Sequence, residues 1–425
     1  MTDRSARYRV RGGQALRGTA FVQGSKNSAL PMIAGALLAP RGQTVLRNVP
    51  LIEDIRRAVD LARAVGAHVE LHESERTLVI DASDLTNPVL PAELTRRFRG
   101  SVLFIPTVLH RLGEVVYEGV GGCHLGTRAL DFHYRGFARL GATVEGDADG
   151  GRMLLKADSL RGNHLYLDTP SWTGTENLVA AACLTPGVTV IDNAAREPEV
   201  LDHITFLTRM GARITGAGTG FLRVEGVDEL AAVEYTVMPD RLDAGVLVMA
   251  IAMTQGEATL VGGGLENFGV ARWKLEQMGV EFTPHGAALR VRSQWPLRPI
   301  NLITHPYPGF ATDLQSPLIS LACLAEGASW VHETVHDARF ALTAELNRMG
   351  ANIQVTDNRA VIEGPRQLRG TEVVAHDLRT GIALVLAGLA AEGETTVTPA
   401  TMIERGHAQL AERFSALGAD ITRES

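Results

Sequence analysis

Residues 186–212 read PGVTVIDNAAREPEVLDHITFLTRMGA. A Gly opens a short β-branched run, VTVID, which has the composition of a strand. A polar loop follows, then a stretch with apolar residues at Val200, Ile204 and Leu207, the spacing of a helix with one buried stripe. A Met-Gly-Ala step closes it, a helix stop that leads into a further strand. The same phrase returns along the whole chain. First glycines fall at Gly42, Gly113, Gly187, Gly256, Gly327 and Gly393, and second glycines at Gly66, Gly141, Gly211, Gly279, Gly350 and Gly418. The second glycines are 75, 70, 68, 71 and 68 residues apart, so six such units fill the 425 residues. A repeat this regular sets the architecture before any motif is read.

Ahead of each first Gly lies an almost wholly apolar segment: 28–38, 101–111, 176–184, 242–254, 314–325 and 380–391. Helices apolar on every face are buried ones. The segments after each loop are amphipathic: 53–64, 128–139, 200–209, 270–277, 339–348 and 405–416. The expected fold is therefore α/β with unusual layering, six repeats of a buried helix, an outer helix and strands. Six units around one axis would leave an empty centre, so three per domain is the expectation. The domains are placed at 23–233 and at 1–22 plus 234–425, with the opening segment completing the second. An active site is expected in the cleft between them.

Net charge is −7, apolar content 45% and charged content 21%. Such a chain buries a core and is not built to coat nucleic acid or an anionic membrane. Apolar runs such as 382–391 are too short to span a bilayer. Three Cys make no disulfide framework, which points to reducing cytoplasm. There is no CxxC spacing. His332-Glu333-Thr334-Val335-His336 has the HExxH spacing, but it continues the β-branched run after Gly327 rather than an apolar helical segment, so no metal is expected.

The starts of the buried helices carry the chemistry. They read Gly24-Ser25-Lys26-Asn27, Arg99-Gly100-Ser101, Thr173-Gly174-Thr175, Asp240-Arg241, Thr312-Asp313 and Leu378-Arg379. Ser, Thr and Asp there are ordinary caps as readily as ligands. Lys26, Arg99 and Arg379 are not explained so, because a cation at a helix N-terminus opposes the dipole. They call for an anion, a phosphate or a carboxylate.

One copy departs from its siblings. From first to second Gly the second copy runs 28 residues, where the others run 23 to 25. The excess lies in the Gly-rich run around Cys123, with His124 beside it and Arg128 five residues on. A long Gly-rich loop has an ordering cost and no packing return, which suits a lid. A nearby cation raises the thiolate fraction of such a thiol. Cys183 and Cys323 recur at one position of a buried segment and read as core.

Seven motifs in one order then carry a resemblance: GSKNSALPMIAGALL (24–38), RGSVLF (99–104), GGCHLGTRALDFH (121–133), NAAREPEV (193–200), VMPDRLDAG (237–245), ATDLQ (311–315) and ERG (404–406). Together they resemble the UDP-N-acetylglucosamine 1-carboxyvinyltransferase family, enolpyruvyl transferases that open peptidoglycan precursor synthesis. The resemblance implies a two-domain inside-out α/β barrel. It also implies transfer of the enolpyruvyl group of phosphoenolpyruvate to the sugar 3-hydroxyl by addition and elimination, with phosphate released and no cofactor. Cys123 matches the family's loop cysteine, Asp313 its acid/base carboxylate, and Lys26, Arg128 and Arg405 its cations around phosphoenolpyruvate. Asn27 and Arg379 match further contacts near the reacting centre. Arg99, Ser171, Thr173 and Val335 match positions lining the nucleotide-sugar pocket. Arg128 and Arg405, each expected to begin an amphipathic helix, would without the resemblance read as surface charge.

The chain departs from the family pattern at Val120, Ala129, Trp172 and Tyr307, which bears on loop closure and nucleotide affinity. The alternatives are a shikimate 3-phosphate transferase of the same fold and a non-catalytic paralogue that binds UDP-sugar. The Gly-Gly-Cys loop argues against the first, and Cys123, Asp313 and the cations together argue against the second. The expected state is a cytoplasmic monomer or weak homo-oligomer.

Overall fold

The computed structural model describes residues 5–119, 130–146, 152–157, 160–286, 288–337 and 339–425. They form six four-stranded sheets, all with one pairing plan. In each, the first strand runs parallel to the second, and the second and third pairs are antiparallel. In the third copy His164–Tyr166 pairs parallel with Val188–Asp192, which pairs antiparallel with Phe221–Glu225, itself antiparallel to Arg213–Thr215. Arg17–Phe21 joins Glu257–Val261 in parallel, and Arg7–Arg11 lies between Glu394–Thr398 and Asp420–Glu424. The opening segment thus completes two sheets of the C-terminal half.

The second glycines explain why the repeat needs Gly. All six adopt positive φ, between 89° and 112°, at the turn from helix to strand. Any side chain there would be strained.

Two compact units result. Among the described residues, those up to Gln23 and from Pro239 onward make one, and those from Gly24 to Met238 the other. The second crossing was expected at 233/234 and falls after Met238. The reason is that Glu234–Thr236 pairs parallel with Gln43–Arg47 and so belongs to the sheet of the first copy.

Among the described residues each unit holds three buried helices. In one they are Lys26–Ala36, Trp172–Cys183, and Ile105–Leu112 preceded by a 3-10 turn at Arg99–Phe104. In the other they are Arg241–Met253, Leu378–Ala390, and Gln315–Ala322 preceded by a 3-10 turn at Thr312–Leu314. Every residue of Arg241–Met253 is buried, including Arg241 and Asp243. Fully burying each Leu, Val or Met of such a helix contributes about 1.5–3 kcal/mol. Polar cross-ties fix the packing. Thr107 donates to the Ala34 carbonyl at 2.8 Å, and Ser320 donates to the Ala383 carbonyl at 2.9 Å. Cys183 and Cys323 are fully buried, and burial pushes both thiols up to about 12, consistent with inert core residues.

Five outer helices follow the amphipathic pattern: Glu53–Ala64, Asp131–Arg139, Pro198–Arg209, Val270–Met278 and Leu342–Arg348. The sixth does not. Of the expected helix 405–416 only Leu410–Ser415 is helical; a separate short helix, Ala400–Glu404, ends just before it, and Gln409 lies in the left-handed region at φ 46°. His407, 1% exposed, is drawn inward to Asp243 at 3.4 Å, which a continuous surface helix would not allow. Among the described residues no helix is long and apolar enough to cross a membrane.

Candidate active site

The predicted site residues fall on both units, and each group is built within its own unit. In the C-terminal unit the centre is Asp313, in the 3-10 turn that opens a buried helix. Arg379, at the start of another buried helix, donates to Asp313 Oδ2 at 2.7 Å, and Arg339 donates to Oδ1 at 2.9 Å. Arg379 is held by its own cap. Asp377 Oδ1 accepts from the Arg379 and Thr380 backbone N–H groups at 2.7 and 3.1 Å. Burial works to raise the Asp313 pKa, but the charges of Arg379 and Arg339 outweigh it and hold the carboxyl well below the usual range.

The sign follows from that direction. A depressed folded pKa gives stability that is fully present above the unfolded carboxylate value, about 3.9. The stability is lost as pH falls through the lower folded value. Across neutral pH the group is an anion fixed between two cations. Replacing Asp377 by Ala removes the cap and frees the Arg379 backbone. We expect a loss of about 1–2 kcal/mol, read as a lowered denaturation midpoint, together with weakened catalysis.

Arg339 joins a second feature. It donates to Thr312 Oγ1 at 2.8 Å, and Thr312 donates to Glu333 Oε2 at 2.9 Å. Glu333, 1% exposed, accepts from the Val335 and His336 backbone N–H groups at 2.8 and 3.0 Å. The loop bearing Val335 is therefore folded around a buried carboxylate, leaving the Val335 side chain exposed. Arg405, predicted as the first residue of an amphipathic helix, is instead the C-cap of Ala400–Glu404 and is half-buried.

In the other unit Lys26 and Asn27 form the first turn of a buried helix capped by Ser25, which accepts from the Ser28 N–H at 3.3 Å. Gly24, just before, is required by close approach. A Cβ there would sit 1.7 Å from the Asn48 carbonyl oxygen. Lys26 Nζ lies 3.0 Å from Asp54 Oδ2, whose side chain is 3% exposed, and Arg57 reaches the same carboxylate at 3.6 Å. Arg99 begins a 3-10 turn that packs on both the Lys26–Ala36 and Trp172–Cys183 helices. Ser171 caps the latter helix through the Gly174 N–H at 3.2 Å, and Thr173 lies half-buried in its first turn. Thr175 is not a cap; its hydroxyl accepts from the Ala195 N–H at 2.8 Å. His133 is wholly buried against Asn177 at 3.0 Å, a structural role. Cys123 and Arg128, with Val120 and Ala129, lie outside the described residues.

In each unit a cation at a buried helix start is thus paired with a carboxylate, Arg379 with Asp313 and Lys26 with Asp54. A UDP-N-acetylglucosamine 1-carboxyvinyltransferase of Thermobifida fusca (strain YX) is 63% identical over 98% of this chain and 98% of its own. The chain belongs to the UDP-N-acetylglucosamine 1-carboxyvinyltransferase family. The family model for EPSP synthase (3-phosphoshikimate 1-carboxyvinyltransferase) matches residues 10–414. A member from Staphylococcus aureus (strain N315) is 40% identical over 97% of this chain and 98% of its own. Among solved structures, the enolpyruvyl transferase NikO from Streptomyces tendae superposes with a TM-score of 0.88 at 27% identity, covering 98% of each chain. An EPSP synthase from Acinetobacter baumannii gives 0.77 at 19% identity over 99% of this chain and 100% of its own, a likeness of fold.

Arg339, Glu333 and Asp54, which support the candidate site residues, are not among the residues expected from the sequence. Arg339, the first residue of the expected outer helix 339–348, is 4% exposed, and the helix begins at Leu342. Asp54 carried a readable signal. It falls on the buried stripe of its helix with Ala58 and Leu61, where a lone carboxylate needs a partner.

Proposed function

We propose that this chain transfers the enolpyruvyl group of phosphoenolpyruvate to the 3-hydroxyl of UDP-N-acetylglucosamine. The observation that carries the reading is the near full-length identity to the Thermobifida fusca carboxyvinyltransferase. The sugar oxygen bonds to C2 while C3 takes a proton, giving a tetrahedral phospho-ketal. C3 then loses a proton, the C–O bond to phosphate breaks, and the enolpyruvyl ether remains. Every atom of the two reactants is accounted for in ether and phosphate, so the reaction calls for no cofactor.

Cys123 supplies the C3 proton. A thiol serves because it can both give a proton and act as a nucleophile. Asp313 takes the proton of the sugar hydroxyl. Lys26, Arg128 and Arg405 gather the phosphate and carboxylate of phosphoenolpyruvate, and Arg379 follows the charge of the ketal. The pair Asp313–Arg379, at 2.7 Å, supports this, since an anionic reactant competes with the carboxylate for the same guanidinium. Asn27 contacts the reactants near the reacting centre, and Arg99, Ser171, Thr173 and Val335 line the nucleotide sugar. The burial of three helices in each unit supports an inside-out α/β barrel with three repeats per unit. A cytoplasmic setting, as a monomer or weak homo-oligomer, fits a biosynthetic step on a charged nucleotide.

A phosphate-release assay with two acceptors tests the reading. We expect release with UDP-N-acetylglucosamine and none above background with shikimate 3-phosphate. The opposite preference would assign the chain to the sister reaction, and binding of nucleotide sugar without release would leave a binding role.

A further inference from the structure

The turn that carries Arg405 is held in an unusual way. Gln23 is 5% exposed, and its carboxamide faces the loop between Ala400–Glu404 and Leu410–Ser415. Its Nε2 donates to the Gly406 carbonyl at 2.7 Å, and its Oε1 accepts from the Ala408 N–H at 3.1 Å. One side-chain amide thus satisfies two loop backbone groups, as a neighbouring peptide would. The backbone of Gln23 is tied as well. Its N–H donates to Asp243 Oδ2 at 3.2 Å, and its carbonyl accepts from the Asp240 N–H at 2.8 Å. Asp243 also takes a two-pronged pair from Arg413, at 2.9 and 2.5 Å, and faces His407 Nδ1 at 3.4 Å. The turn is therefore clasped from the side of Gln23 and from the side of Asp243, and Arg405 is its first residue.

We propose that Gln23 is a positioning residue for Arg405, setting the direction in which that guanidinium meets the anionic reactant. The inference rests on the reading of Arg405 as a phosphoenolpyruvate ligand. Gln23 touches no reactant; it acts through the backbone at Gly406 and Ala408. Without the carboxamide those two backbone groups lose their partners, and the turn relaxes to find others. A cation displaced by a fraction of an ångström still carries its charge but no longer lies along the phosphate and carboxylate oxygens.

The test is steady-state kinetics on the full chain with Gln23→Met, which keeps volume and removes both hydrogen bonds. Gln23→Glu, which keeps the acceptor for Ala408 alone, is the second variant. Gln23→Met should raise KM for phosphoenolpyruvate about tenfold. KM for UDP-N-acetylglucosamine should stay within about twofold and kcat within about threefold, the split expected for one lost reactant contact. Gln23→Glu turns an oxygen toward the Gly406 carbonyl in place of the donor and should raise KM for phosphoenolpyruvate at least as far as Met; it supplies the answer should the Met variant not fold. Arg405→Ala is the reference. If it raises KM for phosphoenolpyruvate and the Gln23 variants do not, the positioning role is overturned. A parallel rise of both KM values overturns it too, since that marks general loosening. If Arg405→Ala leaves KM for phosphoenolpyruvate unchanged, the reading of Arg405 falls and the proposal with it.

Discussion

Asp313→Asn should lower kcat by about 10²–10⁴-fold, the range for loss of a positioned acid/base group. The substitution keeps size and one acceptor but removes the charge that two guanidinium groups share at 2.7 and 2.9 Å. Two consequences follow from one cause. No carboxylate remains to take the hydroxyl proton. Arg339, 4% exposed, and Arg379, 8% exposed, are also left without their common anion. Breaking a buried pair by removing one partner costs about 3–5 kcal/mol, so the denaturation midpoint should fall as well. Binding of UDP-N-acetylglucosamine, followed by calorimetry, separates the two effects. If binding survives within a few-fold and turnover is lost, the chemistry is the larger effect. A kcat within threefold of wild type would remove Asp313 from the mechanism. Because its pKa is depressed, Asp313 stays ionised down to acid pH. An acid limb of kcat/KM near pH 6 would therefore belong to another group.

Cys123→Ala should lower turnover by at least about 10²-fold, because Ala neither gives a proton nor attacks carbon. Rapid-quench analysis should find the product or the ketal held on the protein rather than released. The same thiol should be alkylated by fosfomycin, an epoxide analogue of phosphoenolpyruvate. Intact mass after incubation with UDP-N-acetylglucosamine is expected to rise by one inhibitor in wild type and not in the variant. Full turnover and release in Cys123→Ala would end the role given to the thiol.

Much of the fold is visible in residue order because it is local. The six glycines from Gly66 to Gly418 mark turns that only a residue at ease with positive φ makes cheaply. The all-apolar segments announce burial, and five outer helices follow their stripes. The broken sixth helix was not legible. Residues 405–416 have helical spacing, but His407 turns inward to face Asp243 instead of lying on a surface turn. The crossing after Met238 was missed for a similar reason. Glu234–Thr236 looks like a polar linker until its strand partner Gln43–Arg47, far away in sequence, is known.

At the candidate site, the order of residues alone determined which groups are present. Cations stand at starts of buried helices, a thiol lies in the one overlong loop, and Asp313 opens another buried segment. Only the tertiary structure decided their partners. Arg379 meets Asp313 across 66 residues, Lys26 meets Asp54, and Gln23 clasps the Gly406 turn 383 residues away. Helix and turn preferences act over a few residues and can be read along a chain. A buried charge or amide is satisfied by whatever group the fold brings to it, and that choice is made in three dimensions.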